Sequence, residues 1–126
     1  MQKIVIALIV LVGIIHLLPL AGIMGATKLA SLYGITLSDN NLTLLMRHRA
    51  VLFGLLGFFM ISTAFRPALI PVALFAGLVS VLSFILLAEL EKPINEALNR
   101  VVLVDWVAAI CLVLAGGFWF MSNRTT

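Results

Sequence analysis

The stretch LTLLMRHRAVLFGLLGFFMISTAF, residues 42–65, decides the fold of this chain. It is long and apolar enough to form a helix that crosses a bilayer, since about 20 such residues span the hydrocarbon core. Its first two turns nevertheless carry Arg47, His48 and Arg49. Because charge inside lipid is costly, a membrane helix with basic side chains near its start is a candidate functional site.

Three other segments match this length and composition, and together the four predict an all-α fold. The predicted spans are residues 4–24, 42–65, 68–90 and 98–121. The first is too long for the core of a signal peptide and no small-residue cleavage site follows it, so we expect a retained helix. We therefore predict one domain, residues 1–126, that forms a polytopic membrane protein with a four-transmembrane-helix bundle.

Composition supports the membrane assignment and argues against several functions. Only 10% of the residues are charged and 63% are hydrophobic, whereas soluble domains carry about 25% charged residues. The net charge of +3 comes from scattered basic residues, so nucleic acid is not an expected partner. The single cysteine, Cys111, cannot form an internal disulfide, which argues against disulfide-relay chemistry.

The connections between the spans differ in length and composition. Residues 26–42 form the only long one, and Lys28 and Tyr33 fit a short interfacial helix between the first two spans. Gly34 is predicted to end that helix. Either Ser38 or Asp39 is predicted to cap the second span.

Because the chain is predicted to cross the membrane four times, both termini are expected on the same side. That side carries Lys3, Arg66 and Arg124 and no acidic residue. Because cytoplasmic loops are enriched in Lys and Arg, we expect this side to face the cytoplasm and the protein to lie in a bacterial inner membrane.

Small residues predict which faces of the spans point into the bundle, since membrane helices pack closely through them. Arg47 shares its face with Gly54 and Gly57, so we expect Arg47 to point inward. Arg49 lies on a bulky face that includes Phe53. We expect that face to meet lipid and the Arg49 side chain to extend toward the head groups.

Three more ionisable residues are predicted at the same end of the bundle. Asp105 shares a small-residue face of the fourth span with Ala108, His16 lies near Gly13 in the first span, and Glu91 follows the third span. Ionisable residues inside membrane helices mark functional sites by default. The predicted ligand-binding residues are His16, Arg47, Glu91 and Asp105.

These residues also have a purely structural interpretation. Arg47 and Asp105 could form a buried ion pair that fixes helix register. His16 could be a core histidine bonded to a backbone carbonyl or to Asp105. No pair of histidines or carboxylates has the spacing typical of a metal site, so we expect neither a metal nor another cofactor.

Several short motifs resemble those of the DoxX-like group of small bacterial four-helix membrane proteins. They are a histidine in the first span, Leu32-Tyr33-Gly34 near the loop helix, Leu45-Met46-Arg47 at the start of the second span, and an acidic residue early in the fourth. The resemblance covers nearly the whole chain. It implies a four-helix bundle in the inner membrane and no particular reaction.

Three functions stay open from the sequence. The first is a ligand-binding or accessory membrane protein, in which a lipid, quinone or similar amphiphile places its polar end in a one-sided pocket. The second is a small dimeric proton-coupled transporter. The third is a membrane enzyme that uses His16 and Asp105 as an acid–base pair. The expected partners are the lipid bilayer, an amphiphilic small molecule and, for the transporter, a second copy of the chain.

Overall fold

A computed structural model describes residues 2–19, 30–31, 33–34 and 39–124, and the main elements of these residues are four α-helices. The helices are α1 Gln2–Leu17, α2 Asn40–Ile61, α3 Ile70–Glu91 and α4 Glu96–Arg124. Two short 3₁₀ helices, Ser62–Ala64 and Pro67–Leu69, form the turn between α2 and α3. The all-α prediction is confirmed for these residues.

Three of these helices are long and apolar enough to cross a membrane, namely α2, α3 and α4 with their adjoining turns. They correspond to the second, third and fourth predicted spans. The first predicted span is confirmed only as the shorter apolar helix α1, because residues 20–24 lie outside the described ranges. Large apolar side chains cover the outer surface; Phe65, Phe75 and Leu90 are 82%, 71% and 71% exposed. So apolar a surface is unusual for a protein in water.

Two polar side chains cap helices at one end of the bundle. The Asp39 carboxylate accepts a hydrogen bond of 2.9 Å from a backbone N–H two residues later, which confirms a predicted cap of α2. Asn95 Oδ1 accepts from the Leu98 N–H at 2.8 Å and so caps α4. The Nδ2 group of the same residue donates to the carbonyls of Tyr33 and Gly34 at 2.9 and 3.1 Å. One asparagine thus fixes the start of α4 and the segment before α2.

Gly34 adopts the left-handed backbone conformation, with φ at 64°. Its N–H donates to the Ala30 carbonyl at 2.8 Å, which is the geometry of a helix end closed by glycine. This geometry is the one expected for the predicted end at Gly34. Most of the predicted interfacial helix lies outside the described residues, so that helix stays a prediction.

Helix α1 contacts both α2 and α4, and α4 in turn packs against α3. The closest approach joins Gly13 of α1 to Gly57 of α2. A Cβ atom at Gly13 would lie 2.9 Å from the Gly57 carbonyl oxygen, and one at Gly57 would lie 2.7 Å from that of Gly13. Only glycine permits two backbones to approach this closely. The predicted inward face of α2 is confirmed at Gly54 and Gly57, which are both buried.

Helices α2 and α3 are consecutive in the chain, yet they contact each other much less than α1 contacts α2 or α4. The turn at residues 62–69 joins them at one end. Toward the other end a cleft of about 310 Å³ opens between them, and a second cleft of about 360 Å³ is lined by both helices together with Tyr33 and the start of α4. This separation creates room for a long polar side chain among apolar helices.

Candidate functional site

Arg49 of α2 occupies the opening between α2 and α3. It is half-buried, and one of its terminal nitrogens donates a hydrogen bond of 2.9 Å to the Tyr33 hydroxyl. Its guanidinium carbon lies 4.5 Å from the ring centre of Phe53, 5.4 Å from that of Tyr33 and 5.5 Å from that of Phe84. Aromatic rings from α2, α3 and the segment before α2 therefore surround one cation.

Aromatic rings suit arginine because the planar guanidinium is weakly hydrated and is attracted to the negative face of a ring. Each contact contributes about 0.5–2 kcal/mol, with the larger values where water is excluded. A guanidinium has five N–H donors, and within the described residues only the hydrogen bond to Tyr33 uses one. No fully buried side-chain nitrogen or oxygen of these residues lacks a partner, so the guanidinium nitrogens without a hydrogen bond are not fully buried, and Arg49 lines both clefts.

The prediction that Arg47 points into the bundle is wrong. Arg47 is exposed, whereas Arg49 is half-buried. The arginine whose charge acts on the Asp105 carboxylate is also Arg49. The expected pairing of Arg47 with Asp105 is therefore corrected to a longer-range attraction between Arg49 and Asp105.

This error has two physical causes. Arg47 lies ten residues, about 15 Å along the helix, from Gly57, where α1 and α2 cross. A face of small residues at the crossing therefore does not predict whether the side chain at position 47 points into the bundle. The second cause is Phe53, which is predicted to meet lipid but lies four residues after Arg49, where side chains meet on a helix surface. That spacing is the sequence signal that could have identified Arg49.

His16 is 3% exposed, and both of its ring nitrogens have partners. Nδ1 lies 2.9 Å from the Val12 carbonyl oxygen, which can only accept, so we assign the proton to Nδ1. Nε2 then accepts from the Ser80 hydroxyl at 3.1 Å and links α1 to α3. The interpretation of His16 as a core histidine bonded to a backbone carbonyl is confirmed. Its second partner is Ser80 rather than Asp105.

Asp105 is half-buried and lines a cleft of about 330 Å³ between α1 and α4. Arg100 and Tyr33 line the same cleft, and most of its remaining wall is apolar. Ala108 and Ala109, one turn further along α4, are both buried. The predicted inward face of the fourth span is thus confirmed, and Asp105 lies at its edge beside a cleft.

Glu91 is exposed at the end of α3 and lines the cleft of about 360 Å³ together with Arg49 and Tyr33. Tyr33 therefore lines two clefts, one beside Arg49 and the other beside Asp105. Of the predicted ligand-binding residues, Asp105 and Glu91 lie in cleft walls. His16 lies in the core, where its ring centre is 5.7 Å from that of Phe53.

The described residues offer charged side chains for binding rather than a cluster of metal ligands. In the ranges that the structure describes, no group of three or more His, Cys, Asp or Glu side chains lies close enough to hold a metal ion. Glu89 and Lys92 form an ion pair of 2.9 Å, but both side chains are at least half exposed. Such pairs contribute little to stability.

Comparisons of the chain with protein-family models, curated protein sequences and solved structures find no significant match. The resemblance to the DoxX-like group rests on short motifs such as residues 32–34 and 45–47, and it stays a prediction. Function therefore has to be argued from the geometry and chemistry of the site itself.

Proposed function

We propose that this chain is a multi-pass membrane protein that binds an amphiphile between α2 and α3. The head group of the ligand, an anion or another strong hydrogen-bond acceptor, contacts Arg49. The apolar part of the ligand lies in the cleft that runs from Arg49 along the two helices. Lipids and quinones belong to this class of ligand.

The observation that carries this proposal is an Arg49 guanidinium that is held in place but, among the described residues, only partly hydrogen-bonded. Rings of Tyr33, Phe53 and Phe84 fix its position, and the hydrogen bond to Tyr33 uses one of its five donors. A cation among apolar helices is costly unless it is paired. A ligand with acidic or carbonyl oxygens would supply the missing acceptors. Because the fold already orders this side chain, binding would cost little conformational entropy.

The cleft next to Arg49 has a composition that suits an apolar tail. Leu52, Leu56, Phe84 and Leu87 line it. Leu52 is 52% exposed and Leu87 is 58% exposed, so the cleft opens on the apolar outer surface of the bundle. A tail could therefore enter from the lipid phase without crossing water. A volume of about 310 Å³ lies at the small end of the range for ligand pockets, which favours a single chain.

The other two functions that stay open from the sequence have less support. An acid–base pair of His16 and Asp105 would need both side chains at one substrate. The two ring nitrogens of His16 are bonded to Val12 and Ser80, and the cleft that Asp105 lines includes the neighbouring Ile15 of α1 but not His16. A transporter needs access from both ends of the bundle, whereas the clefts beside Arg49 and Asp105 lie near the same end.

The proposal includes a bacterial inner-membrane location with Lys3, Arg66 and Arg124 on the cytoplasmic side. Three helices of sufficient length and apolarity and the resemblance to the DoxX-like group support this location. The absence of any acidic residue to offset the positive charge of that side supports the orientation. Arg49 lies at the opposite end of α2 from Arg66, so the head group of the ligand would lie in the periplasmic half of the membrane.

Native mass spectrometry of the purified protein, followed by extraction and identification of what it carries, tests this proposal. We expect the wild-type protein to carry an amphiphile with an anionic or carbonyl-bearing head group. Arg49→Gln should lower its occupancy at least about tenfold, the factor expected for a lost charge-assisted hydrogen bond. Arg47→Gln is the matched control, because it removes the same charge from an exposed position on the same helix. Equal loss in both variants would contradict the proposal.

A further inference from the structure

A second candidate site lies on the other side of Tyr33 from Arg49, in the cleft of about 330 Å³ between α1 and α4. Its charged and polar lining residues are Asp105, Arg100, Ser31 and Tyr33, and the rest of its lining is apolar. The cleft therefore combines two opposite charges with a surface that suits hydrocarbon. The cleft of about 310 Å³ beside Arg49 lies between the other two helices, α2 and α3.

The Asp105 carboxylate has no hydrogen-bond donor in the part of the chain that the structure describes. It forms no ion pair there either, although the charge of Arg49 acts on it at longer range. A half-buried carboxylate is costly without donors to replace its hydration. Because Asp105 lines the cleft, a group that brings N–H donors can reach it from there.

Arg100 supplies the opposite charge in the same cleft. It precedes Asp105 by five residues, about 7.5 Å along the helix axis, and it is exposed. The two side chains do not form an ion pair with each other. An anion beside Arg100 and an N–H-bearing cation beside Asp105 would therefore satisfy two separate groups, which one zwitterionic head group can do.

We propose that this cleft binds the head group of an ethanolamine-type aminophospholipid. The primary ammonium donates hydrogen bonds to the Asp105 carboxylate, and the phosphate contacts the Arg100 guanidinium. An acyl chain lies against apolar lining residues such as Leu18 and Val104. A choline head group fits the site less well, because its quaternary nitrogen has no N–H to donate.

The test is a titration of the full chain in detergent with dioleoyl phosphatidylethanolamine or dioleoyl phosphatidylcholine, followed by native mass spectrometry. We expect the wild-type protein to bind the ethanolamine lipid about tenfold more tightly. Asp105→Asn should remove most of this preference. Arg100→Gln should weaken the binding of both lipids alike, because both carry a phosphate. Glu91→Gln is the matched control, since it neutralises a carboxylate in the other cleft and should leave the preference intact.

Equal affinity of the wild-type protein for the two lipids would overturn this assignment, and that result needs no variant to fold. A preference that survives in folded Asp105→Asn would overturn it as well. Competition with water-soluble phosphorylethanolamine shows whether the ligand is the lipid or its free head group. We expect this compound to compete only weakly with the lipid. Full competition would mean that the site binds the free head group. The proposed function is tested with an anionic lipid at Arg49 and this proposal with two zwitterionic lipids at Asp105, so the two can fail independently.

Discussion

At the scale of single residues, three aromatic rings rather than a carboxylate surround the Arg49 guanidinium. Phe53 is shared, since its ring contacts both the Arg49 guanidinium and the His16 ring. The sequence predicts a functional role for the basic residues at the start of α2, but the face of small residues favours Arg47, whereas Arg49 is the half-buried one. These positions lie about 200° apart around the helix, and both faces are apolar. An apolar face toward lipid and one toward a neighbouring helix have the same composition.

We expect Tyr33→Phe to lower the free energy of unfolding by about 1–3 kcal/mol. The substitution removes the hydroxyl that accepts the Arg49 hydrogen bond and leaves the aromatic ring in place. Thermal unfolding in one detergent would measure the loss of stability for Tyr33→Phe, Arg49→Gln and the double variant. Because the two groups are in contact, the double variant should lose less than the sum of the single losses. Additive losses would mean that the hydroxyl and the guanidinium do not interact.

At the scale of helices, the sequence predicts the spans well and their arrangement poorly. Length and apolarity predict α2, α3 and α4, and Pro67 predicts the tight turn between the second and third spans. The separation of α2 from α3 has no sequence signal, because helices that are apolar on every side could pack in several orders. The exception is the glycine face of α2, which correctly indicates a close contact at Gly57.

We expect Gly13→Ala to destabilise the protein by about 1–3 kcal/mol. The added methyl group would lie 2.9 Å from the backbone oxygen of Gly57, so one of the two helices would have to shift. Gly116→Ala is the control, because a Cβ atom there meets no atom within 4 Å and alanine favours a helix. Scanning fluorimetry of both variants measures the difference. Similar losses at the two positions would contradict the close crossing of α1 and α2.

At the scale of the whole molecule, the polar clefts lie near one end of the bundle. The sequence predicts this end, because the ionisable residues of the spans lie near the same two connections. It does not predict the clefts, since they depend on how far α2 and α3 separate and on the position of Tyr33. The segment that carries Tyr33 is tied to the start of α4 by Asn95, and that contact joins residues far apart in sequence.

We expect the turn that contains Arg66 to face the cytoplasm and the connection that contains Asn95 to face the periplasm, because no acidic residue offsets the charge of Lys3, Arg66 and Arg124. Alkaline phosphatase fused after Asn95 should be active. Green fluorescent protein fused after Thr126 should fluoresce, since it folds in the cytoplasm. An inactive phosphatase at Asn95 together with a silent fluorescent fusion at Thr126 would reverse the orientation.

The central claim is that Arg49, rather than Arg47, receives the head group of the ligand. A titration with dioleoyl phosphatidylglycerol, an anionic lipid, followed by native mass spectrometry yields an apparent Kd for the wild-type protein, Arg49→Gln and Arg47→Gln. We predict a Kd at least about tenfold weaker for Arg49→Gln and within about twofold of wild type for Arg47→Gln. If binding came only from a general attraction between a basic helix and an anionic lipid, the two substitutions would weaken it equally. Equal weakening, or a larger effect at Arg47, would contradict the account.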